Sequence, residues 1–437
     1  MKPVLSVIGT GYLGTTFAAC MSSLGFDVIG IDTDAEKVER LSAGDLPFYE
    51  PGLEEIVKTE LAAGRLLFTT DFSRAKDADV HFICVGTPQK DDGLAADLTY
   101  IHGAVAGITP YLKSGSLVVG KSTVPVGTAE ALRAQLAISA PQADIAWNPE
   151  FTREGFAVED SLRPDRIVVG VTNDRAEEIL RNVYAPLLDI GTPWIRADLP
   201  TTELVKMAAN SFLATKISFI NAMAEVCEVA GGDVTVLAHA ISYDPRIGNK
   251  FLKAGIGFGG GCIPKDIRAF IARAEELGAT QALEFLRDID SINLRARQRV
   301  IDVVRATLAE DLTGFKVAVL GAAYKPDSDD VRDSPALDIA AQLNAAGAAI
   351  TVHDPKAIAN AKKRFPALKF AQTVTECITD ADLVLHLTEW PEYRELDPKA
   401  LLGSVKTPRM IDGRNALDRD KWVAAGWKFH ALGRANA

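Results

Sequence analysis

The 437-residue sequence contains only five cysteines, and they lie far apart in the chain. Their number is odd, and their spacing gives neither a disulfide framework nor a set of metal ligands. We therefore expect free thiols, no bound metal and a reducing, cytoplasmic environment. The five positions are Cys20, Cys84, Cys227, Cys262 and Cys377.

The sequence also lacks long apolar runs and an excess of positive charge. No stretch reaches the roughly 18 consecutive apolar residues that a membrane-spanning helix needs. Residues 1–14 (MKPVLSVIGTGYLG) lead directly into a strand pattern and a glycine turn, so we expect no secretory signal. A net charge of −11 argues against non-specific binding of nucleic acid.

Strand and helix patterns alternate in both halves of the chain, whose length predicts more than one domain. Short apolar runs such as VLSVI (4–8) alternate with helical spacing, which is typical of a parallel sheet covered on both faces. Residues 199–231 show no strand signal and predict one long helix. We predict an α/β fold of two Rossmann-like doubly wound domains, 1–198 and 301–437, joined by a central helical region, 199–300.

The first glycine turn has the pattern Gly9-x-Gly11-x-x-Gly14, between a strand and a helix. Glycines at this spacing permit a tight turn and close approach of a pyrophosphate, and the helix N-terminus offers free N–H groups to phosphate. Asp32 ends the next strand, where a carboxylate can bind both ribose hydroxyls and repels a 2′-phosphate. The pattern predicts a site for NAD, in preference to NADP.

Cys262 lies in the segment GIGFGGGCIPKD, residues 255–266. Such glycine density is entropically costly, so either something approaches this backbone closely or a positive φ is needed. Cys20, Cys84 and Cys227 fit apolar, buried patterns, whereas a cysteine among glycines is expected to face solvent or a ligand. Lys265 lies near Cys262 in sequence, and an ammonium favours the nucleophilic thiolate. We predict a catalytic nucleophile at Cys262. A redox-sensing thiol is the alternative, although no second cysteine lies close in sequence.

A thiol beside a nicotinamide indicates a particular chemistry. A dehydrogenase that stops at an aldehyde needs a base but no nucleophile. One that continues to the acid needs a thiol, because a thiohemiacetal can give up hydride and leave a hydrolysable thioester. The residues thus favour a four-electron oxidation.

Motifs lie along nearly the whole chain: VGTP (85–88), KSTVPVGT (121–128), NPEFTREG (148–155), TELVKMAANSFLATKISFINAMAEVCE (202–228), DPRIGNKFLKAGIGFGGGCIPKD (244–266) and GAAYKPDSDDVRDSPALDI (321–339). They resemble the motifs of the UDP-glucose 6-dehydrogenase group of the UDP-glucose/GDP-mannose dehydrogenase family. The resemblance implies an NAD domain, a long central helix that forms a homodimer, and a nucleotide-sugar domain. It also implies oxidation of the C6 alcohol of UDP-glucose to UDP-glucuronate, with two NAD consumed.

The same resemblance assigns catalytic roles. Cys262 matches the nucleophile, and Lys206 and Asn210, four apart and so on one helix face, match the pair that stabilises the oxyanion. Asp266 matches the carboxylate that orders a water and transfers protons with Lys206. Glu150 matches the residue that assists thioester hydrolysis, supported by the hydroxyl of Thr123. Hydrogen bonding within loops is the alternative for Glu150 and Thr123.

Binding residues follow from the resemblance in the same way. Arg246 is implied to reach the substrate of the partner subunit. The cofactor contacts are Gly9, Gly11, Tyr12, Leu13, Gly14, Asp32, Lys37, Thr87, Thr123, Glu154, Lys265 and Arg332. The substrate contacts are Glu150, Phe151, Thr152, Lys206, Asn210, Arg246, Phe251, Leu252, Lys253, Phe258, Gly259, Lys325 and Arg414.

Some alternatives stay open at this point. The family usually has serine before the cysteine, where this chain has Gly261, so base or sugar preference can differ. TDP-glucose, a UDP-N-acetylhexosamine and GDP-mannose are the other substrates. A non-catalytic nucleotide sensor needs none of the four residues Cys262, Lys206, Asn210 and Asp266, and a two-electron hydroxyacid dehydrogenase has no use for the cysteine.

Overall fold

The computed structural model describes residues 2–434. The chain forms two compact units. The first comprises the residues up to Ala209 together with Arg268–Gly278, and the second comprises Asn210–Ile267 and the residues from Ala279 onward. Each unit is built around one sheet.

The first unit holds an eight-stranded sheet with helices on both of its faces. The strands are β1 (Leu5–Ile8), β2 (Val28–Ile31), β3 (Leu66–Thr69), β4 (Val80–Ile83), β5 (Leu117–Gly120), β6 (Asp144–Trp147), β7 (Ile167–Val171) and β8 (Trp194–Ala197). The helices are α1 (Tyr12–Ser23), α2 (Ala35–Ser42), α3 (Leu53–Ala62), α4 (Thr99–Ile108), α5 (Thr128–Ser139), α6 (Ala157–Leu162), α7 (Asp174–Val183) and α8 (Ala185–Leu188).

The strand order of this sheet is β3-β2-β1-β4-β5-β6-β7-β8. Strands β1, β2, β4 and β5 are buried along their whole length, because helices cover both faces of a parallel sheet. Two apolar clusters form the core: Phe17, Phe82 and Val119 belong to one, and Ile83 and Trp147 to the other.

Four helices follow the first sheet: α9 (Leu199–Ala230), α10 (Val234–Ser242), α11 (Ile263–Glu276) and α12 (Phe285–Thr307). Helix α9 is 32 residues long, which confirms the predicted long helix. Asp198 Oδ1 accepts the N–H of Thr201 at 2.7 Å at its start, and Gly231, with φ +77, follows its end.

The second unit contains a six-stranded parallel sheet in the order β11-β10-β9-β12-β13-β14. The strands are β9 (Lys316–Leu320), β10 (Ala349–His353), β11 (Lys369–Phe370), β12 (Leu383–His386), β13 (Arg409–Asp412) and β14 (Lys428–Ala431). The helices are α13 (Pro335–Ala345), α14 (Ile358–Arg364), α15 (Val374–Ile378), α16 (Pro391–Arg394), α17 (Pro398–Leu401) and α18 (Arg419–Ala424).

The predicted fold class is confirmed, since both sheets contain the 3-2-1-4-5-6 strand order of the Rossmann fold. The expectation of an entirely parallel first sheet is wrong at one place, because β6 and β7 pair antiparallel. The domain boundaries stay predictions. Within residues 2–434, no helix is both long enough and apolar enough to cross a membrane.

Candidate active site

In the first unit, the candidate residues follow the carboxyl ends of neighbouring strands. Gly9 comes after β1 and Asp32 after β2. Thr87, Thr123 and Glu150 come after β4, β5 and β6. Since these strands are parallel and adjacent, their carboxyl ends share one edge of the sheet, which is the ligand-binding edge of open α/β sheets.

The glycine turn after β1 has the geometry that a dinucleotide needs. A Cβ on Gly14 would lie 1.9 Å from the carbonyl oxygen of Gly9, so only glycine lets α1 pack this closely. A Cβ on Gly11 would meet no protein atom within 4 Å, so its backbone is open to a ligand. Gly11 caps the N-terminus of the 12-residue helix α1, whose free N–H groups favour phosphate.

Asp32 is held in a fixed orientation beside this turn. Its Oδ2 accepts the N–H of Thr10 at 2.7 Å and the Lys37 ammonium at 3.0 Å, and its Oδ1 accepts the N–H of Asp34 at 3.0 Å. Burial acts to raise the pKa of Asp32, but the Asp34 N–H and Lys37 lower it below its usual value. The carboxylate is therefore ionised at neutral pH, as ribose binding requires. Turn and carboxylate together fit NAD.

Tyr12 connects the glycine turn to the segment that follows Glu150. Its hydroxyl donates to Glu50, and the N–H of Gly155 donates to Glu50 at 2.7 Å and lies 3.1 Å from the Tyr12 oxygen. Glu50 also accepts the N–H of Ala157 at the start of α6 at 2.7 Å. Glu50 lies in no recognised motif, so only the fold reveals this contribution.

Two other predicted cofactor residues are hydrogen-bonded to each other. The Thr87 hydroxyl donates to the carbonyl oxygen of Thr123 at 2.7 Å, and Thr87 is buried while Thr123 is half-buried. Leu13 packs against the apolar core of this unit. Glu154 is half-buried and close enough to Tyr12 to raise the pKa of its hydroxyl, after the larger effects of burial and Glu50.

Glu150 is ordered by its neighbours in both sequence and space. Its Oε1 accepts the N–H groups of Phe151 at 2.6 Å and Thr152 at 2.8 Å. Its Oε2 lies 3.3 Å from the ammonium of Lys121, which is almost fully buried. Both carboxyl oxygens of Glu150 therefore have defined partners, which fix the orientation of the side chain.

Phe151 is flanked by two cations. The Lys206 ammonium lies 5.4 Å from the ring centroid, and the Arg166 guanidinium lies 4.1 Å from it. Both distances are within the range of a cation–π contact. Lys206 is buried, so the aromatic ring helps to fix the position of its ammonium group. Sequence reasoning missed Arg166, which lies in no recognised motif.

Glu203 joins α9 to the loop that carries Thr123. Its two carboxylate oxygens accept the N–H groups of Gly127 and Ala129, each at 2.7 Å. These groups lie at the start of α5, where a carboxylate also interacts favourably with the helix dipole. Glu203 therefore fixes both Lys206, three residues further along α9, and the Thr123 loop.

In the second unit, Cys262 directly precedes α11, and its carbonyl oxygen accepts the N–H of Asp266 at 3.0 Å. All five cysteines are thiols, and Cys262 is exposed while the other four are buried, as predicted for Cys20, Cys84 and Cys227. Asp266 is buried and accepts the Asn210 amide at 2.7 Å and the Lys265 ammonium at 2.5 Å. A helix N-terminus favours the thiolate of an adjacent cysteine.

The glycines before Cys262 are required by close packing as well as by backbone conformation. A Cβ on Gly259 would lie 2.2 Å from the Asp333 carbonyl oxygen, and a Cβ on Gly261 would lie 2.2 Å from the Arg332 guanidinium carbon. Arg332 itself is exposed and pairs with Asp330 at 2.7 Å. Serine at position 261 would therefore displace Arg332, which gives the departure from the family pattern a structural consequence.

Other predicted substrate residues differ in accessibility. Arg414 is largely buried, with its guanidinium donating to the carbonyl oxygens of Leu387, Gly257 and Tyr324 at 2.8, 3.1 and 3.1 Å. Burial lowers the pKa of Arg414. Lys325 is half-buried, 5.7 Å from the Tyr324 ring.

Phe258 is buried in an apolar cluster with Ile267 and Ile289. Its backbone N–H and carbonyl oxygen bind the amide of Asn293 at 2.7 and 3.1 Å. The structure thus accounts for Phe258 as part of the core that supports the glycine segment. A contact from this residue to substrate stays a prediction.

A cavity of about 240 Å³ in the second unit brings together several polar groups. It includes the predicted Leu252, Lys253 and Arg414 as well as His239 and Asn249, which sequence reasoning missed. Its lining is Val234, Thr235, Ala238, His239, Ser242, Asn249, Leu252, Lys253, Ala254, Arg414 and Asn415.

Arg246 and Phe251 lie at the surface of the second unit. The Arg246 side chain is 87% exposed and pairs with Asp244 at 2.6 Å. Phe251 is exposed and has φ +58. Within residues 2–434, no three His, Cys, Asp or Glu side chains come together in a way that could hold a metal ion.

Three models of the UDP-glucose/GDP-mannose dehydrogenase family match the chain: the NAD binding domain at residues 4–188, the central domain at 200–295 and the UDP binding domain at 318–419. A UDP-glucose 6-dehydrogenase from Rhizobium meliloti is 40% identical over 435 residues, which cover 98% of this chain and 99% of the relative.

Solved structures of nucleotide-sugar dehydrogenases are also similar to this chain. The structure of a UDP-glucose dehydrogenase from the archaeon Pyrobaculum islandicum superposes with a TM-score of 0.91 at 36% identity, covering 100% of this chain and 98% of the other. A UDP-D-ManNAc dehydrogenase from Pyrococcus horikoshii superposes with a TM-score of 0.86 at 25% identity, covering 99% of this chain and 100% of the other.

We expect Gly11→Ala and Gly14→Ala to fail in different ways. Gly11→Ala should keep its melting temperature but weaken NAD binding about tenfold or more, because its methyl group stands where the pyrophosphate approaches. Gly14→Ala should lower the free energy of unfolding by about 1–3 kcal/mol or more, because its methyl group overlaps the Gly9 carbonyl. Calorimetry and NAD titration check both. Equal melting temperatures for the two variants would contradict this assignment.

Asp32→Asn should change cofactor preference. The substitution removes the charge that repels a 2′-phosphate and releases the Lys37 ammonium to bind one. We expect kcat/KM for NAD to fall about tenfold or more and the ratio of NADP to NAD efficiency to rise. Asp34→Asn, two residues along at the N-cap of α2, is the control and should leave that ratio unchanged. An unaltered ratio in Asp32→Asn would remove Asp32 from the ribose site.

Proposed function

The chain belongs to the UDP-glucose/GDP-mannose dehydrogenase family of NAD-dependent dehydrogenases, and on that premise we propose that it oxidises the C6 alcohol of UDP-glucose to the carboxylate of UDP-glucuronate. The observation that carries the proposal is Cys262, exposed at the N-terminus of α11 and one turn from the buried Asp266. A dehydrogenase that made only an aldehyde would have no use for that thiol.

The reaction balances as four electrons. One alcohol, two NAD⁺ and one water give one carboxylate, two NADH and three protons. When bound, NAD would supply the acceptor for the hydride that leaves C6 in each of the two oxidations. The glycine turn at Gly9, Gly11 and Gly14 and the carboxylate of Asp32 would hold the cofactor.

In the first oxidation, the hydroxyl proton of the substrate leaves as its C6–H bond breaks. We assign the proton to Asp266, acting through an ordered water, together with Lys206. Asp266 is suited to this because it is buried and already accepts two hydrogen bonds, so its position is fixed. Asn210, whose amide donates to Asp266, and Lys206 would stabilise the developing oxyanion.

In the second oxidation, the thiolate of Cys262 adds to the aldehyde carbon, and the resulting thiohemiacetal loses hydride to become a thioester. The exposed sulfur is accessible, and the N-terminus of the 14-residue helix α11 favours its anionic form. Hydrolysis then breaks the C–S bond. We assign activation of the attacking water to Glu150, supported by Thr123, and the thiolate leaves as the carboxylate forms.

For the nucleotide part of the substrate, we propose the cavity that includes Leu252, Lys253 and Arg414. Lysine and asparagine side chains there supply a cation and hydrogen-bonding groups suited to a nucleotide. Arg414 and Asn415 of its lining lie within the matched UDP binding domain, residues 318–419, which supports this placement, and the other lining residues lie within the matched central domain, residues 200–295. The remaining predicted contacts, Lys325 among them, belong to the same proposal.

Similar proteins are named for different sugars, so the choice of sugar needs its own test. The Pyrococcus horikoshii neighbour is a UDP-D-ManNAc dehydrogenase, and the same four-electron reaction on a UDP-N-acetylhexosamine is the second candidate. TDP-glucose and GDP-mannose are the other two candidate substrates. NADH release with these four nucleotide sugars side by side decides among them.

We propose a homodimer formed through α9. Phe212, Phe219 and Val226 are exposed and seven residues apart, so they form one apolar face of the helix. Exposed apolar faces of this kind mark protein–protein contacts. A second copy of the chain can cover this face with its own α9, because a two-fold interface uses the same surface on both subunits. The largely exposed Arg246 is then available to a partner subunit. The cytoplasmic location stays a prediction.

Replacing the thiol should separate the two oxidations. Cys262→Ala should bind NAD and nucleotide sugar but release no uronic acid, because no thioester can form. Cys262→Ser should stall as an ester, since a hydroxyl is far less ionised than a thiol, whose ordinary pKa is about 8.5. Mass spectrometry of the 262 peptide and NADH release measure this. Cys377→Ala, at a buried thiol, is the control, and uronic acid formed by Cys262→Ala at the wild-type rate would refute the proposal.

The role of Arg246 across the interface has its own test. If Arg246 completes the neighbouring site, mixing Arg246→Ala with Cys262→Ala protein should restore activity, because one of the two sites in each hybrid is intact. We expect up to about a quarter of wild-type activity after random exchange, since half of the dimers are hybrids. A mixture that exchanges subunits but stays inactive would place Arg246 in its own subunit's function or in none.

A further inference from the structure

Lys121 is a charged side chain that the proposed mechanism does not use. It follows strand β5, is only 4% exposed, and holds its ammonium 4.6 Å from the centre of the Phe17 ring. Burying an ammonium ion costs several kcal/mol unless it is paired and hydrogen-bonded. The structure must therefore supply a specific partner.

The ammonium of Lys121 is hydrogen-bonded and ion-paired to neighbouring side chains. It donates to Asn148 Oδ1 at 3.1 Å and lies 3.3 Å from Glu150 Oε2. Asn148 is oriented in turn, because its amide nitrogen donates to the Val168 carbonyl at 2.8 Å and its oxygen accepts the Tyr184 hydroxyl at 2.5 Å. The amide therefore presents its oxygen to Lys121.

The other titratable groups that face this pair are neutral at physiological pH. They come from three different elements: Cys20 on α1, Cys84 after β4 and Tyr184 after α7. Burial raises the pKa of each to about 12. Burial acts to lower the pKa of Lys121, but Tyr184 and Glu150 raise it above its usual value. The opposite charges in the cluster are Lys121 and Glu150.

We propose that Lys121 is the positioning residue that keeps Glu150 an oriented carboxylate, and so a base, for thioester hydrolysis. The two backbone N–H groups hold Oε1, and Lys121 holds Oε2, so that both oxygens of Glu150 are fixed. The inference rests on the proposed function, because hydrolysis is the step assigned to Glu150. It makes Lys121 important for the last step and dispensable for the two hydride transfers.

Lys121→Met tests this by removing the charge while keeping the chain length. We expect the initial burst of NADH to persist and steady-state turnover to fall about 10- to 100-fold, which is at or below the lower end of the roughly 100- to 10,000-fold that a general base contributes. Acid-quenched protein should accumulate the thioester on the Cys262 peptide.

Lys113→Met is the matched control. Lys113 is 44% exposed and pairs with Asp79 at 2.7 Å at the surface. Losing an exposed ion pair has little energetic effect, so this variant should keep the wild-type burst and turnover. A slower burst in Lys121→Met, matching its loss of turnover, would overturn the inference.

A double-variant cycle separates positioning from general support of the fold. If Lys121 acts through Glu150, then Lys121→Met added to Glu150→Gln should slow hydrolysis no further. Multiplicative losses would overturn the inference. If Lys121→Met alone fails to fold, the double variant still decides, because it leaves no unpaired buried charge. Its turnover should equal that of Glu150→Gln, and slower turnover would overturn the inference.

Failure of the proposed function gives other results than failure of the role of Lys121. If neither wild-type protein nor Glu150→Gln ever shows a thioester and Cys262→Ala makes acid normally, the four-electron mechanism is wrong whatever Lys121 does. If wild-type protein makes acid through a thioester and Lys121→Met behaves like wild type, only the role of Lys121 is wrong.

Discussion

The parallel pairing of the strands in the first sheet is the constraint on which the site in that unit depends. Parallel neighbours must be joined by crossovers, so the carboxyl ends of β1, β2, β4, β5 and β6 lie along one edge. Gly9 and Glu150, which are 141 positions apart in sequence, therefore lie at the same edge. The antiparallel pairing of β7 with β6 ends this series, and no predicted site residue of the unit follows β7 directly.

Buried charge is used in the same way in both units. Asp32, Glu203 and Asp266 each have their carboxylate oxygens occupied by backbone N–H groups, an amide or an ammonium. A carboxylate with its oxygens occupied cannot rotate freely, and this rigidity fixes the side chains around it. Defined positions are what the proposed catalysis and cofactor binding require, although burying these groups is energetically unfavourable.

The sequence predicted the parts of the structure that depend on local chemistry. The glycine turn at Gly9–Gly14, the long helix α9 and the exposed Cys262 all followed from pattern and residue type. Strands β3 and β8 carried weak signals, because β3 alternates between buried and exposed positions and β8 is half-exposed at the sheet edge. Glu50, Lys121 and Arg166 were missed because their importance comes from neighbours distant in sequence.

The glycine-rich segment shows how one pattern can serve two purposes. Glycine is expected both where a substrate must approach the backbone and where other protein atoms pack closely against it. The sequence alone does not distinguish these two reasons. Gly259 packs against Asp333, and Gly261 packs against Arg332, in the same unit. The backbone before Cys262 is therefore in close contact with other protein atoms. This close packing fixes the position at which α11 begins. The start of α11 in turn fixes the positions of the Cys262 thiol and, one turn later, of the Asp266 carboxylate. The glycines thus act on the thiol through the helix that follows it, whatever ligand approaches from outside.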